Sequence, residues 1–375
     1  MTASPQQPAP TRKVRDLTGP GITTGFGMEG TDLGISAVTP SGRVLVVFGD
    51  TYAGAGVGAP HVGQPHPGRA QCTPTTEHPA GPGDPDWRSP VGLYADAGDL
   101  AGGLRWTGAA GEGPDDYAAQ LVPYVHGRGC STRLPSDVLT LGDSMYLHVM
   151  VNEGLGNVTR TEIHRSDDDG RTWQPTGAEF SPLLEGGHRQ LWTWERGGDG
   201  FVYVMSTGFQ RDKGVILMRT TEQALASGDT RDWETWGYAE GSWGWGKPTT
   251  IVLPGRVGEL YLRRCEDFWT LTFFDAEHYR IDCLTFPSIG SDLLDPAVTT
   301  RTTLLPGCAW GDESDGTDGH ARVAQLYCGC PLPGSTPEAW HVVVSQWNTD
   351  DSPAGPAGWP YRSMQFVAQI PRPAV

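Results

Sequence analysis

The sequence is poor in the features that build helices or cross membranes. No apolar run approaches the length of a membrane span, and residues 1–20 lack the apolar stretch of a secretory signal peptide. Strong helix formers are sparse and no long stretch repeats with a helical period, whereas Gly (52), Pro (31) and Trp (14) are frequent among the 375 residues. We therefore predict an all-β protein built of many short strands.

Basic residues are also few. The chain has 27 Lys and Arg against 44 Asp and Glu, which makes its formal net charge −17. Binding to nucleic acid or to an anionic membrane needs a basic patch, and none stands out in the sequence. We expect neither of these partners, and a neutral or weakly charged ligand instead.

Several catalytic signatures are missing. The seven cysteines form no CxxC pair and no zinc-ligand spacing with His, and the chain has no GxSxG, HExxH or P-loop motif. Zinc, serine-hydrolase and nucleotide chemistry therefore lack support, and we predict no metal ligands and no required cofactor. The odd cysteine count leaves at least one free thiol, and whether Cys308 pairs with Cys328 or Cys330 is open.

What the chain does have is a pair of acids near its start. The motifs GTDLG at 30–34 and FGDTY at 48–52 flank a predicted hairpin. If it folds symmetrically about Ser41, Asp32 lies opposite Asp50. Opposed like charges are destabilising, which favours a chemical role, and a glycosidase needs two carboxyl groups about 5–10 Å apart. The alternative is structural, with each Asp capping a turn or binding backbone amides.

The remaining chain is interpreted as one domain. We predict a disordered arm over residues 1–20 and a single domain over 21–375. Residues 53–90 are rich in Gly, Pro and His and form a predicted long loop insertion. Loops of that length in compact domains tend to be functional, so this one is a candidate lid or binding wall.

Strand groups and one turn motif indicate a propeller. Pairs of short strands recur in about five groups, which is typical of radially repeated four-stranded blades. Segment 166–173, SDDDGRTW, matches the S-x-D-x-G-x-T-W Asp-box turn of β-propellers. In that turn the Asp ties the hairpin and the Trp packs beneath it, so we predict structural roles for Asp167, Asp168 and Asp169.

Two aromatic clusters, at 188–196 and 241–247, have the composition of carbohydrate sites, because sugar faces stack on Trp and hydroxyl groups bind Arg and Lys. The candidate substrate-binding residues are Thr51, His188, Arg189, Trp192, Trp194, Trp245, Lys247 and Trp347. The alternatives are that the Trp residues pack between blades and that Lys247 is an exposed loop cation. Glu195 is either a third acid that tunes the catalytic pair or a residue that forms a salt bridge with Arg196 or another neighbour.

The acidic loop Gly311–His320 has two interpretations. Its oxygen ligands and Gly-permitted turns are compatible with a structural calcium site, although the EF-hand spacing is absent. The alternative is a solvated acidic loop.

The motifs at 30–34, 48–52 and 188–196, with VSQWNT at 344–349, resemble a bacterial and phage family once called domain of unknown function 4185. Its members are now recognised as endo-D-arabinanases of glycoside hydrolase family 183. The resemblance spans roughly Gly21 to Val367. It implies a five-bladed β-propeller that cleaves internal α-D-arabinofuranosyl linkages in mycobacterial arabinogalactan and lipoarabinomannan. It also implies that Asp32 and Asp50 are the catalytic pair.

On this hypothesis Asp50 is the general acid and Asp32 the base or nucleophile, with inversion favoured. We expect a monomer that acts on the cell envelope as an extracellular or virion-associated protein, with a polysaccharide as its partner. One alternative is another propeller glycosidase such as a sialidase, although no arginine motif lies in the expected N-terminal strand. The other is a non-catalytic lectin or phage envelope-binding component.

Overall fold

The computed structural model describes residues 10–53, 87–96, 98–124, 129–154, 156–347 and 361–373. The predicted insertion lies outside these residues except for its two ends, and so do residues 1–9 of the predicted arm. The described part is mostly β-strand with one short α-helix, α1 (Glu222–Ser227), which confirms the all-β prediction. No helix in it is long and apolar enough to cross a membrane.

The strands of the described residues, numbered in chain order, are β1 (Arg12–Asp16), β2 (Gly30–Val38), β3 (Val44–Tyr52), β4 (Val91–Ala95), β5 (Trp106–Ala109), β6 (Thr132–Leu141), β7 (Ser144–Asn152), β8 (Val158–Ser166), β9 (Gln174–Phe180), β10 (Leu191–Arg196), β11 (Phe201–Thr207), β12 (Lys213–Thr221), β13 (Trp233–Ala239), β14 (Ser242–Trp245), β15 (Ile251–Cys265), β16 (Phe268–Asp275), β17 (Arg280–Phe286), β18 (Thr300–Cys308), β19 (Val323–Ala324), β20 (Leu326–Pro331), β21 (Trp340–Trp347) and β22 (Tyr361–Ala368). Short 3-10 turns occupy Thr24–Phe26, Leu100–Gly102 and Leu184–Gly187.

The strands form antiparallel meanders. β2–β5 and β6–β9 are four-stranded sheets, and β20–β22 form a third with β1 as its outer strand. A ten-stranded sheet holds two further meanders, β10–β13 and β15–β18, joined where β12 pairs with β15. The first strands of the meanders, which we call the inner strands, contact one another in a closed cycle: β2 to β6, β6 to β10, β10 to β15, β15 to β20 and β20 to β2. The inner strands therefore surround a common axis.

The two ends of the chain meet in one sheet. β1 pairs with β22, from Arg12 opposite Val367 to Asp16 opposite Met364. Without β1, the backbone N–H and C=O groups along one side of β22 would form an open edge. Residues 12–16 are therefore part of the sheet and do not belong to a disordered arm.

The β2–β3 hairpin carries both acids. Its register agrees with the predicted one at both ends, since Val38 pairs with Val44 and Thr31 pairs with Thr51. Between these pairs the register shifts on either side of Leu33. The hairpin is thus irregular at the position of the first acid.

The irregularity depends on Gly34. Leu33 and Gly34 have φ angles of 63° and 120°, and a Cβ atom on Gly34 would lie 2.4 Å from Val343 of β21. Only Gly fits this close approach with this backbone conformation. The bulge turns the Asp32 side chain toward Gly49, where an added Cβ would lie 2.3 Å from the Asp32 Oδ1 atom.

The Asp-box forms the turn between β8 and β9. Asp168 accepts hydrogen bonds from the Thr172 backbone N–H at 2.8 Å, the Thr172 hydroxyl at 2.7 Å and the Ser166 hydroxyl at 2.8 Å. Trp173 is buried, and its indole N–H donates to the Gly170 carbonyl at 2.9 Å. The structural role predicted for Asp168 is confirmed.

The described cysteines are all free thiols. Cys308 therefore pairs with neither Cys328 nor Cys330, and Cys72 lies outside the described residues. Packing and hydrogen bonds, rather than disulfides, hold the described part together.

The acidic loop Gly311–His320 uses its carboxylates locally. Asp315 accepts a hydrogen bond from the Thr317 backbone N–H at 3.1 Å, and Asp318 accepts one from that of His320 at 3.2 Å. In the part of the chain that the structure describes, no group of three or more His, Cys, Asp or Glu residues could hold a metal ion. The calcium hypothesis for this loop therefore gains no support.

Replacing Asp168 by Ala should destabilise the protein, because the carboxylate accepts hydrogen bonds from one backbone N–H and two hydroxyl groups of the turn and orders it. We expect a loss of about 1 kcal/mol in the free energy of unfolding, measured by urea denaturation. The matched control is Asp167→Ala, whose side chain is 63% exposed and binds only Arg165 and Ser144. Equal losses for the two variants would contradict the role assigned to Asp168.

Candidate active site

A cavity of about 460 Å³ lies at one end of the axis that the inner strands surround. Each inner strand contributes at least one wall residue: Asp32 from β2, Leu134 from β6, Leu191 from β10, Glu259 from β15 and Tyr327 from β20. The other lining residues are Leu33, Asp50, Tyr52, Trp87, Pro135, Ser136, Met150, Gly156, Phe209, Gln210, Arg211, Tyr261, Trp347 and Tyr361.

Of the two acids, Asp32 has the environment that more strongly favours the protonated carboxyl group. Its Oδ2 atom accepts a hydrogen bond from the Tyr327 hydroxyl at 3.0 Å, while its buried Oδ1 atom has no hydrogen-bond partner among the described residues. Burial, and then the negative charge of Asp50, raise the pKa of Asp32 to about 8, although hydrogen bonds from Tyr327 and Tyr361 act in the opposite direction. At neutral pH this carboxyl group is therefore largely protonated.

Asp50 has a different set of partners. The Thr132 hydroxyl donates to its Oδ1 atom at 2.5 Å. Burial raises the pKa of Asp50, and hydrogen bonds from Thr132, Trp87 and Ser89 partly offset that rise. Because the charge of Asp50 is one cause of the raised pKa of Asp32, Asp50 is the member of the pair that ionises first. The two carboxyl groups of the site thus differ in pKa, and Asp32 is the one that keeps its proton to higher pH.

A partly buried ion pair forms another wall. The Arg211 guanidinium donates to the Glu259 Oε1 atom at 2.6 Å and lies 5.1 Å from the centre of the Tyr327 ring. Glu259 is 7% exposed, and its Oε2 atom has no hydrogen-bond partner among the described residues. This free carboxylate oxygen in the cavity wall can accept a hydrogen bond from a ligand hydroxyl group.

Aromatic rings make up much of the remaining wall. The Tyr52 ring stacks on Trp87 with a centroid distance of 5.8 Å, and Tyr361 contacts Tyr52 at 5.8 Å and Trp347 at 5.9 Å. Sugar rings present apolar C–H faces to such walls while their hydroxyl groups need polar partners. The cavity offers both.

Of the residues predicted from the sequence, only Asp32, Asp50 and Trp347 line this cavity. Thr51 is buried beside it and bonds to the Thr31 hydroxyl at 2.7 Å. It supports the hairpin rather than the cavity wall.

Except for Leu191, the 188–196 cluster lies outside the cavity walls. His188 bonds to the Glu185 carbonyl at 2.7 Å, and Trp192 and Trp194 are fully buried in a hydrophobic core. Arg189 is 8% exposed, and its guanidinium lies 5.4 Å from the Trp233 ring. The alternation of strand residues places these Trp rings between layers, which is the packing alternative stated above.

The 241–247 cluster also lies outside the cavity. Trp245 packs against Tyr203 with a centroid distance of 5.7 Å. The Lys247 ammonium group donates to the Ala239 carbonyl at 2.9 Å and the Ser242 carbonyl at 2.8 Å. Lys247 therefore ties a turn and is not an exposed loop cation.

Glu195 is likewise not a third acid of this cavity. Its side chain accepts from the Arg196 backbone N–H at 2.9 Å, whereas the Arg196 guanidinium binds Glu222 at 2.9 Å. Neither alternative proposed for Glu195 describes its contacts.

Several cavity residues are not among those predicted from the sequence. Glu259 is the one acidic residue in the stretch from Val257 to Leu262. A single acid within an apolar strand is a pattern from which a site residue could have been predicted. Arg211 and Tyr327 carried no comparable signal, because only the packing of distant strands brings them beside Asp32.

Residues 18–367 match the family model described as domain of unknown function DUF4185. The chain belongs to this family. Its relatives by sequence include an uncharacterized 35.9 kDa protein from Mycolicibacterium smegmatis, 27% identical over 96% of this chain and 99% of that protein. A notoamide biosynthesis cluster protein J' from Aspergillus versicolor is 25% identical over 89% of this chain and 85% of that protein.

Two solved structures resemble this DUF4185 chain in fold. A putative hydrolase from Bacteroides ovatus superposes with a TM-score of 0.57 at 13% identity, covering 91% of this chain and 86% of that one. A GH43 β-xylosidase/α-arabinofuranosidase from a compost microbial metagenome has a TM-score of 0.50 at 9% identity, covering 97% and 98%. The similarity supports a propeller-like all-β fold.

Replacing Asp32 by Asn should change how stability depends on pH. An Asp in the unfolded chain has a pKa of about 3.9, whereas burial and Asp50 raise the folded value to about 8. Between these pH values the unfolded chain releases a proton that the folded protein keeps, so wild-type stability falls as pH rises.

We therefore expect the Asp32→Asn variant to gain stability relative to wild type between pH 4 and pH 8. The measurement is the free energy of urea unfolding of both proteins across that range. A difference that does not change with pH would contradict the raised pKa of Asp32.

Proposed function

We propose that the protein is a glycoside hydrolase whose catalytic pair is Asp32 and Asp50. The observation that carries this proposal is that one hairpin delivers two carboxyl groups to one cavity, where their surroundings separate their protonation states. One protonated and one ionised carboxyl group are what glycosidic cleavage through an oxocarbenium-like transition state requires.

The protonation order favours Asp32 as the general acid, the reverse of the assignment made from the sequence. Asp32 keeps its proton near neutral pH and transfers it to the departing glycosidic oxygen. Asp50, ionised and held by Thr132, activates a water molecule that attacks the anomeric carbon. We propose that the configuration inverts, which requires the two carboxyl groups to leave room for that water molecule.

The substrate class follows from the cavity and the family resemblance. Aromatic walls and a free Glu259 oxygen suit a neutral sugar with hydroxyl groups, and the net charge of −17 disfavours an anionic polymer. We propose that this sugar is the D-arabinan of mycobacterial arabinogalactan and lipoarabinomannan, cleaved at internal α-D-arabinofuranosyl linkages. The likeness to a fold that carries α-arabinofuranosidase activity in another protein is consistent with this.

The architecture proposed for this enzyme is a five-bladed β-propeller. The closed cycle of inner strands supports it, with one meander behind each inner strand. The pairing of β1 with β22 would complete the last blade from both chain ends. We further propose that the enzyme works as a monomer on the cell envelope, as an extracellular or virion-associated protein.

The first test is product analysis. Wild-type protein incubated with mycobacterial arabinogalactan should release short arabino-oligosaccharides, whose initial anomeric form, read by NMR, reports inversion. Asp32→Asn and Asp50→Asn should each reduce turnover by at least about 100-fold, because each removes a group needed for proton transfer. Polysaccharide that binds to the wild type but is never cleaved would favour the lectin alternative.

The second test concerns the Tyr327 hydroxyl. This group stabilises the ionised form of Asp32, so Tyr327→Phe should raise the pKa of Asp32 further. Because catalysis needs Asp32 protonated, activity should fall at high pH, and this fall should move to higher pH in the variant. The measurement is kcat/KM against pH, with Tyr261→Phe as the control, since the Tyr261 hydroxyl contacts Cys328 instead. A fall at unchanged pH would remove Asp32 from the acid role.

A further inference from the structure

The 241–247 segment, which the cavity does not use, forms part of a projecting hairpin. β13 and β14 pair from Trp236 opposite Trp245 to Ala239 opposite Ser242, and we call residues 233–245 the aromatic hairpin. Backbone carbonyls of its turn are bound by Lys247. A Cβ on Gly237 would lie 1.7 Å from the Pro248 carbonyl oxygen, so the segment after β14 packs directly on β13. The Lys247 hydrogen bonds and the packing of the following segment therefore hold the aromatic hairpin in place.

The aromatic hairpin exposes two large rings. Tyr238 is 51% and Trp243 46% exposed, and their centroids lie 5.6 Å apart. Trp236 lies beside Trp243, nearly parallel to it at 6.2 Å, and Trp245 packs on Trp236 at 4.9 Å. The packed rings of Trp236 and Trp245 therefore support the exposed pair. Tyr and Trp side chains are enriched at interaction sites, because each combines a large apolar ring with a polar group.

The hairpin turn lies at the same end of its sheet as the catalytic cavity. β12 begins at Lys213, two residues after the cavity residue Arg211. β13 runs antiparallel to β12, so it returns toward the end where β12 begins. The turn between Ala239 and Ser242 is consequently directed to that end.

We propose that Tyr238 and Trp243 form a second glycan-binding surface, which holds a stretch of the same neutral polysaccharide away from the cleaved linkage. This inference rests on the proposed function. Exposed Tyr and Trp rings stack on the C–H faces of sugars, and Tyr238 and Trp243 are directly opposite each other in the hairpin, so they form one continuous exposed patch. The Lys247 ammonium group is already bonded to the hairpin turn, which disfavours an anionic ligand.

The surface would act on long substrates only. A polymer bound at the cavity has distant residues that can reach the hairpin, and the second contact adds affinity through a high effective concentration. A short oligosaccharide confined to the cavity gains nothing from it. Loss of the rings should therefore separate polymer binding from turnover of short substrates.

The test uses Trp243→Ala and Tyr238→Ala, each made in the wild type and in the inactive Asp32→Asn protein. In the inactive background we expect each change to weaken binding to mycobacterial arabinogalactan by about two- to tenfold, measured by calorimetry. In the active background kcat/KM for short arabino-oligosaccharides should stay unchanged while KM for the polymer rises. Trp243→Phe, which keeps a ring, should restore most of the binding.

The control is Leu294→Ala, because Leu294 is 58% exposed but lies between β17 and β18 and carries no ring. Binding by Trp243→Ala equal to that of its parent would overturn the inference while leaving the proposed activity intact. A wild-type dimer that Trp243→Ala dissociates, seen by light scattering, would reassign the surface to contacts between copies. If the wild type neither cleaves nor binds the polysaccharide, the proposed function itself fails, and the inference with it.

Discussion

The placement of two carboxyl groups in one cavity is the constraint on which the site depends. Burial and mutual repulsion both oppose a doubly ionised pair, so the surrounding residues must distinguish the two acids. Asp50 accepts a hydrogen bond from the Thr132 hydroxyl, whereas Asp32 accepts one from the Tyr327 hydroxyl and has one buried oxygen without a partner among the described residues. The resulting proton on Asp32 relieves the repulsion and is also the proton that the proposed chemistry needs.

That arrangement exists only because the inner strands meet around an axis. Asp32 lies on β2 and its donor Tyr327 on β20, while Arg211 and Glu259 come from the other meanders. Closing this cycle requires contacts between residues hundreds of positions apart, and the β1–β22 pairing joins both chain ends. The contacts that close the cycle of inner strands therefore also set the geometry of the site.

Local signals in the sequence were informative where the chemistry is local. The hairpin register next to the turn follows from the turn and from alternation, although the shifts around Leu33 do not, and the Asp-box defines its own hydrogen bonds. Trp192 and Trp194 were predicted to bind substrate, but they are buried in the core. Sequence alternation does not separate these two roles, because an aromatic strand has the same composition whether it faces a ligand or the core. Residues 12–16 carry mostly polar side chains, which gave no indication of a strand. They form a strand because they pair with the otherwise open edge of β22.

The sequence by itself determined the all-β class, the acidic net charge, and the two acids on neighbouring strands of one hairpin. These follow from composition and from short-range periodicity, which every local segment carries. Tertiary structure alone decided which acid holds the proton, that Glu259 and Arg211 belong beside the pair, and that Lys247 ties a turn. Burial, charge proximity and hydrogen bonding between distant strands set those properties, and no single segment encodes them.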